Sequence, residues 1–387
     1  MGKLRNLQIV FDGNVDVFSQ NQVIRGQVMM EVDSEGLKNV KGVWIRFRGY
    51  SKIRIGSKNH KEILKDDYFD SIIVVLGTAP GHRDVKNLSI LPGTNSFPFQ
   101  FQLPNHPIPV PFEGRFGFVR FKSKATVSII RTLMNKEYKT EKLFSMMGPT
   151  VDLNAIPGME SEVQSRSEER SCFGIGCGVQ SVITVGLPRQ GYVPGESIYV
   201  IGHMSNRVGK TSFKVTARLV QKVIFQFQQI DPKYRPFQKH TLSKASTKVK
   251  CPRGRETGFV VGPLQIPPVP SSGLPGCELI NIEYYVKVND SECFRKFLVT
   301  IGTVPLRTRC PVPQLVSATN PSADPPEQMP PTAPPYEAPP PTYEEAVGVM
   351  DRLATERSRE DYFTSGAHFV PRYAYFNLTV DMPSTGQ

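Results

Sequence analysis

The sequence predicts an all-β chain: two antiparallel β-sandwich domains followed by a proline-rich tail with no core of its own. Three observations carry this. Apolar residues alternate with polar ones along most of the first 305 positions, as half-buried strands with one wet face require. Gly- and Pro-rich turns separate those runs, for example Leu91-Pro92-Gly93-Thr94-Asn95, Val193-Pro194-Gly195 and Leu274-Pro275-Gly276. And 12 of the 34 prolines fall within residues 311–343.

In chain order, Val43, Ile45, Phe47, Ile53 and Ile55 share one strand face, while Trp44, Arg46, Arg48, Tyr50, Lys52 and Arg54 share the other. Phe97, Phe99, Phe101 and Leu103 alternate with Pro98, Gln100 and Gln102. Val119, Phe121, Ala125, Val127 and Ile129 form the next inward set. A polar, aperiodic stretch follows and reads as a linker or long loop over 158–179. Strand grammar then resumes with Val215, Ala217, Leu219, Val223, Phe225 and Phe227, and with Ile280, Ile282, Tyr284, Val286 and Val288. Val193 to Val200 faintly echoes Val23 to Val28, about one sandwich domain (~170 residues) later. The expected organisation is therefore 1–157 and 180–305 as sandwiches, 158–179 between them, and 306–387 as the tail.

Charge divides at the same place. The 387 residues hold 47 Lys+Arg and 35 Asp+Glu, a net charge of +12. Residues 306–387 contain 6 basic and 10 acidic side chains, a net of −4, which leaves the body at 41 against 25, or +16. So polar and proline-rich a tail cannot bury enough apolar surface to offset its chain entropy, and it is expected to be disordered. No run of 18 apolar residues offers a membrane span, and the start, Met1-Gly2-Lys3-Leu4-Arg5-Asn6, lacks the apolar region of a secretion signal. Six cysteines spread thinly suit reduced thiols. The expected location is the cytoplasm, peripheral at the plasma membrane and endosomes.

The string Pro92 to Pro104 (PGTNSFPFQFQLP), followed by Phe112-Glu113-Gly114, resembles the N-terminal domain of the arrestin-domain-containing proteins, the α-arrestins. Val151 to Pro157 (VDLNAIP) resembles the exit from that domain, and Gly191 to Glu196 (GYVPGE) with Gly276 to Tyr285 (GCELINIEYY) resembles strands of the second. The resemblance covers about residues 5–305. It implies the arrestin fold, two immunoglobulin-like sandwiches, and the role of a trafficking adaptor rather than an enzyme.

The tail holds the sharpest chemistry. Pro340-Pro341-Thr342-Tyr343 is a P-P-x-Y motif. Proline fixes φ near −65°, so the run is close to polyproline II before docking and loses little entropy on binding. Pro340 and Pro341 suit an aromatic-lined WW groove, and Tyr343 adds a second anchor. Glu344 and Glu345 open a candidate short helix over 344–357, with Gly348 against it. Pro334, Pro335 and Tyr336 form a weaker version of the same motif. Pro331, Thr332, Ala333 and Pro334 spell P-T-A-P, which is similar to late-domain motifs that bind the ubiquitin-variant domain of ESCRT-I; a tract this rich in Pro, Thr and Ala also makes such a string by chance.

Basic clusters mark the strands: Arg46, Arg48, Lys52 and Arg54; Arg115, Arg120, Lys122 and Lys124; Lys244, Lys248, Lys250, Arg253 and Arg255. They read either as solvated strand faces whose lysines blunt sheet edges, or as contacts for anionic headgroups or acidic receptor tails. Nucleic acid is the poorer reading, because the aromatics lie mainly on apolar faces and leave few stacking platforms. No phosphate-binding loop, nucleophile elbow, zinc signature or dinucleotide fingerprint occurs, so no cofactor, metal or catalytic residue is assigned. Cys172 and Cys177 lie too far from any His to suggest zinc; reversible acylation of either is the other reading. Residues 369–376 (FVPRYAYF) are too apolar for an inert tail and fit either an added sheet strand or a partner motif.

The expected function is that of a cytosolic adaptor. The body takes up plasma-membrane receptor or transporter cargo, and the P-P-x-Y motif recruits a WW-containing HECT-type ubiquitin ligase, which drives ubiquitination, endocytosis and endosomal sorting. The alternative is a scaffold in ESCRT-dependent sorting or vesicle budding through P-T-A-P.

Overall fold

The computed structural model describes residues 3–307, apart from 57–60, 83–86, 133–134, 173–176, 208–210, 227–235 and 290–293, together with 371–376. The P-P-x-Y, P-T-A-P and Pro334-Pro335-Tyr336 motifs and the expected helix over 344–357 lie outside the described residues.

The first lobe is a sandwich. One sheet has the order β1 (Leu4–Phe11), β3 (Val23–Val32), β7 (Gly93–Gln102). The other runs β2 (Val17–Phe18), β10 (Lys136–Met146), β9 (Gly117–Ile129), β4 (Leu37–Gly56), β5 (Lys61–Gly77), with β6 (Leu88–Ile90) on β4 and β8 (Phe112–Glu113) on β9. The alternating phenylalanines of β7 become the filling. Phe101 stacks on Phe47 of β4 with centroids 4.5 Å apart, and Phe99 leans on the same Phe47 ring at 5.6 Å. Each buried ring contributes about 1.5–3 kcal/mol of burial, so this one alternating string pins the two sheets together.

The second lobe repeats the plan. Its smaller sheet is β11 (Val163–Cys172), β12 (Cys177–Leu187), β14 (Ser197–Asn206), β17 (Arg255–Gln265). Its larger sheet is β13 (Gly191–Tyr192), β19 (Phe294–Ile301), β18 (Ile280–Asn289), β15 (Ser212–Phe225), β16 (Phe237–Lys250). In both lobes a two-residue strand runs parallel to the last strand of the larger sheet, β2 on β10 and β13 on β19, while the other pairings are antiparallel. The faint sequence echo is thus a repeat of topology.

Two expectations need correction. The stretch 158–179, expected as a linker or long loop, carries β11 and the start of β12, paired from Val163↔Leu187 to Cys172↔Cys177. β11 is an edge strand whose less exposed positions are Val163, Ser165 and Ser167. With serines at two of the positions where apolar residues usually stand, backbone pairing to β12 carries most of the strand, and among its described side chains Val163 alone packs against the core. Trp44, expected on the wet face, is buried because Val74 of β5 and Thr126 of β9 flank it in register.

The lobes meet along a seam. An isolated parallel bridge joins Asp152 to Val304, and the Asn154 side chain both donates to the Pro305 carbonyl and accepts from Arg307 N–H, at 2.9 Å each. Phe116 meets Phe225 edge-on at 5.5 Å, and Arg115 N–H donates to Gln238 Oε1 at 2.8 Å.

Candidate functional site

The outer faces of the two larger sheets carry most of the basic residues singled out from sequence, and the two faces differ. On the first lobe, β5 folds back on β4 and lays Asp67 and Asp70 beside the arginines, with Arg48 opposite Asp70 and Tyr50 opposite Asp67. Arg46 forks onto both carboxylate oxygens of Asp70, and Arg48 Nε reaches Asp67 at 3.0 Å. Lys65 joins Asp67 from the same strand. Arg120 grips Glu113 with two hydrogen bonds, 2.5 and 2.8 Å, and lies 4.0 Å over the Phe118 ring. Lys122 and Lys124 share Glu141 at 3.2 and 3.0 Å. Lys52 and Arg54 are half-buried and also engaged.

Electrostatics records the pairing. Burial alone would raise Asp67 and Glu141. Hydrogen bonds from Lys65 and Arg48 to Asp67, and from Lys124 and Lys122 to Glu141, outweigh it and hold both carboxyls below their ordinary range. This face is an ion-paired lattice, with most of its cations spent on acids of its own lobe.

The second lobe's outer face is not neutralised in this way. Lys244 of β16 sits opposite Arg218 of β15, Arg218 opposite Lys287 of β18, and Lys287 opposite Lys296 of β19. One row of four cations therefore crosses four adjacent strands. Lys248 stands opposite Lys214, and Lys250 follows beside Ser212. Among the described residues, none of these seven cations pairs with a carboxylate. Lys222 does, reaching Glu283 at 3.1 Å. Like charges directly opposite on a sheet are destabilising, so the stability of the lobe alone does not explain the row.

Apolar side chains project from the same face. Phe294 is 68 %, Leu298 60 % and Phe237 51 % exposed. Lysines stack on the aromatics, Lys287 at 4.7 Å from Phe294, Lys239 at 4.8 Å from Phe237 and Lys296 at 4.3 Å from Tyr285. The combination can hold an anionic surface and insert greasy tips into it. Among the described residues no group of three or more His, Cys, Asp or Glu is placed to hold a metal, and no helix is long and apolar enough to cross a membrane. Burial pushes the Cys277 thiol up, away from the reactive thiolate.

Comparison with known families decides the lineage. Residues 7–154 match the model of the N-terminal domain of arrestin (or S-antigen), and residues 180–294 match that of the C-terminal domain. The chain belongs to the α-arrestin family. Arrestin domain-containing protein 1 of Rattus norvegicus is 25 % identical over 339 residues, 85 % of this chain and 73 % of that protein. The Homo sapiens protein of the same name is 26 % identical over 297 residues, 75 % of this chain and 62 % of its own length, so the chain spans less than two thirds of that relative. Arrestin domain-containing protein 4 of Mus musculus is 25 % identical over 331 residues, 79 % of this chain and 73 % of that protein.

On this α-arrestin body, sequence reasoning found Lys244, Lys248 and Lys250 but missed Lys214, Arg218, Lys287 and Lys296. Lys214, Arg218 and Lys287 lie on strands whose inward residues were read correctly, and the signal was the polar half of those same alternations; Lys296 lies on β19, which the sequence reading did not single out. The acids that neutralise Arg46 and Arg48 stand about twenty residues downstream, in Lys65-Asp66-Asp67-Tyr68-Phe69-Asp70. Strand-by-strand reading missed them because the partner strand had not been laid alongside.

Proposed function

We propose that the chain is an adaptor that brings membrane-protein cargo to a WW-containing HECT-type ubiquitin ligase. The adaptor role is that of its family; the ligase link rests on Pro340-Pro341-Thr342-Tyr343, and that motif is the observation that carries the reading. A preformed polyproline turn ending in an anchoring tyrosine is the ligand a WW groove takes. The ligase performs the chemistry, and this chain supplies proximity by joining two modest contacts. Pro334, Pro335 and Tyr336 serve as a weaker second WW site. The cationic row of the second lobe rests the body against an anionic membrane surface, where receptor or transporter cargo presents its cytosolic parts; ubiquitination, endocytosis and endosomal sorting follow.

The test is a pull-down from the full-length chain with a WW-domain array. The wild type retains WW modules, and Tyr343→Ala loses at least tenfold of that binding. If wild type retains none, the adaptor reading falls. A second reading, a scaffold in ESCRT-dependent sorting, is favoured by Pro331-Thr332-Ala333-Pro334. It prevails if Thr332→Ala alters cargo fate while Tyr343→Ala does not.

A further inference from the structure

The chain leaves the described body at Arg307 and reappears at 371–376, Pro-Arg-Tyr-Ala-Tyr-Phe. This segment adds no strand to either sandwich, yet it touches both lobes. On the first, Arg372 Nη1 lies 3.0 Å from Asp16 Oδ1, and the Tyr373 hydroxyl donates to the Pro111 carbonyl at 3.0 Å. On the second, Phe376 N–H donates to the Pro194 carbonyl at 3.0 Å, and Gln265 Nε2 meets the Tyr375 hydroxyl at 3.3 Å. The Phe376 ring packs on a small cluster of Leu153, Val193 and Leu306, beside Met159. Pro371 is buried.

The seat is shaped for backbone. Gly195 holds φ +98°, and a Cβ placed there would stand 1.9 Å from the Phe376 carbonyl oxygen. The turn's left-handed conformation already favours glycine. The approach of Phe376 requires it a second time, for a different reason. An acid, an accepting carbonyl, a glycine floor and an apolar pocket thus line up along six residues of chain. None of these contacts is strong alone. A tethered segment, however, meets its seat at an effective concentration on the order of millimolar, so an intrinsic affinity of only ~100 μM keeps it about nine-tenths docked.

We propose that the seam between the lobes is a peptide-binding site whose resident ligand is this chain's own segment 371–376, a strap that fastens one lobe to the other. The site stands on contacts outside the P-P-x-Y motif and outside the cationic row, so it is independent of the adaptor reading.

Hydrogen exchange on the full-length wild-type chain tests it without any variant. Amides of 373–376 exchange at least tenfold more slowly than in a synthetic peptide of residues 369–380; free-peptide rates in the intact chain overturn the proposal. The double variant Tyr373→Ala, Phe376→Ala loses that protection and speeds exchange at 193–196, while the sandwich strands keep wild-type rates. In a second arm, a chain ending at residue 368 binds the labelled 369–380 peptide one to one, and the full-length chain binds it at least tenfold more weakly because its seat is filled. Equal binding to both chains overturns the proposal. So does absence of binding to a truncated chain whose strands exchange at wild-type rates.

Discussion

Tyr284 shows how closely single residues are specified in the second lobe. Its ring is an inward position of β18, and its hydroxyl, fully buried, accepts from Gln221 Nε2 at 2.9 Å and donates to the Pro270 carbonyl at 2.7 Å. Burial drives its pKa well above the ordinary phenol value, so it stays a donor at any working pH. Tyr284→Phe keeps the shape but strands a buried amide donor and a carbonyl, which costs about 1–3 kcal/mol. Denaturant unfolding reads this as a lower midpoint at unchanged slope; an unchanged midpoint refutes the network's role. The paired carboxyls of the first lobe act through pH instead. Because Asp67 and Glu141 are held below their ordinary range in the fold, the unfolded chain takes up their protons first as acid is added. Their contribution is fully present above about pH 5 and fades as pH falls through the folded values. Both side chains are substantially exposed, 41 % and 42 %, so the effect is small. Glu141→Gln flattens the loss of stability between about pH 5 and 3 relative to wild type; an unaltered acid profile from thermal melts contradicts the assignment.

At the scale of strands, alternation was readable wherever one face met a core. Val119 to Ile129 and Ile280 to Val288 are buried in the expected phase because a one-residue slip would turn every apolar group outward. β11 was not readable, since an edge strand with serine on its inner side has no apolar period to detect. The outer faces were half readable. A strand announces its own charges, but whether they are neutralised depends on which strand lies beside it. That is why Arg46, Arg48, Arg120, Lys122 and Lys124 proved ion-paired while Lys248 and Lys250 belong to a larger cationic field. The difference has a measurable consequence. Lysine near an anionic bilayer is worth about 1 kcal/mol, so Lys244→Glu, Lys248→Glu and Lys250→Glu together weaken sedimentation with phosphatidylserine vesicles by roughly a hundredfold or more. Lys122→Ala with Lys124→Ala changes it less than threefold. Equal losses from the two faces would show that net charge, rather than the second lobe's face, drives binding. The exposed Phe294 and Leu298 belong to the same element: Phe294→Ser with Leu298→Ser leaves the salt dependence intact and lowers affinity about tenfold.

For the whole molecule, the net charge of +12 averages two unlike objects, a +16 body and a −4 tail. The two-sandwich body was legible because repeated alternation and turn chemistry leave few alternatives. The seam was not, because Phe116 against Phe225 and Tyr373 against Pro111 join residues more than a hundred positions apart with no local pattern. The tail's logic is linear and can be tested as such. Five residues separate Pro334, the last residue of P-T-A-P, from Pro340, the first of P-P-x-Y. As polyproline II, that interval spans ~19 Å at ~3.1 Å per residue, less than the width of one small folded domain. A WW module on Pro340-Pro341-Thr342-Tyr343 and a ubiquitin-variant module on 331–334 therefore collide. Calorimetric titration of the WW module into full-length chain saturated with the other should show apparent affinity reduced at least tenfold, restored by inserting a twenty-residue Gly-Ser spacer after Ala338. Independent saturation of both modules without the spacer would overturn this exclusion.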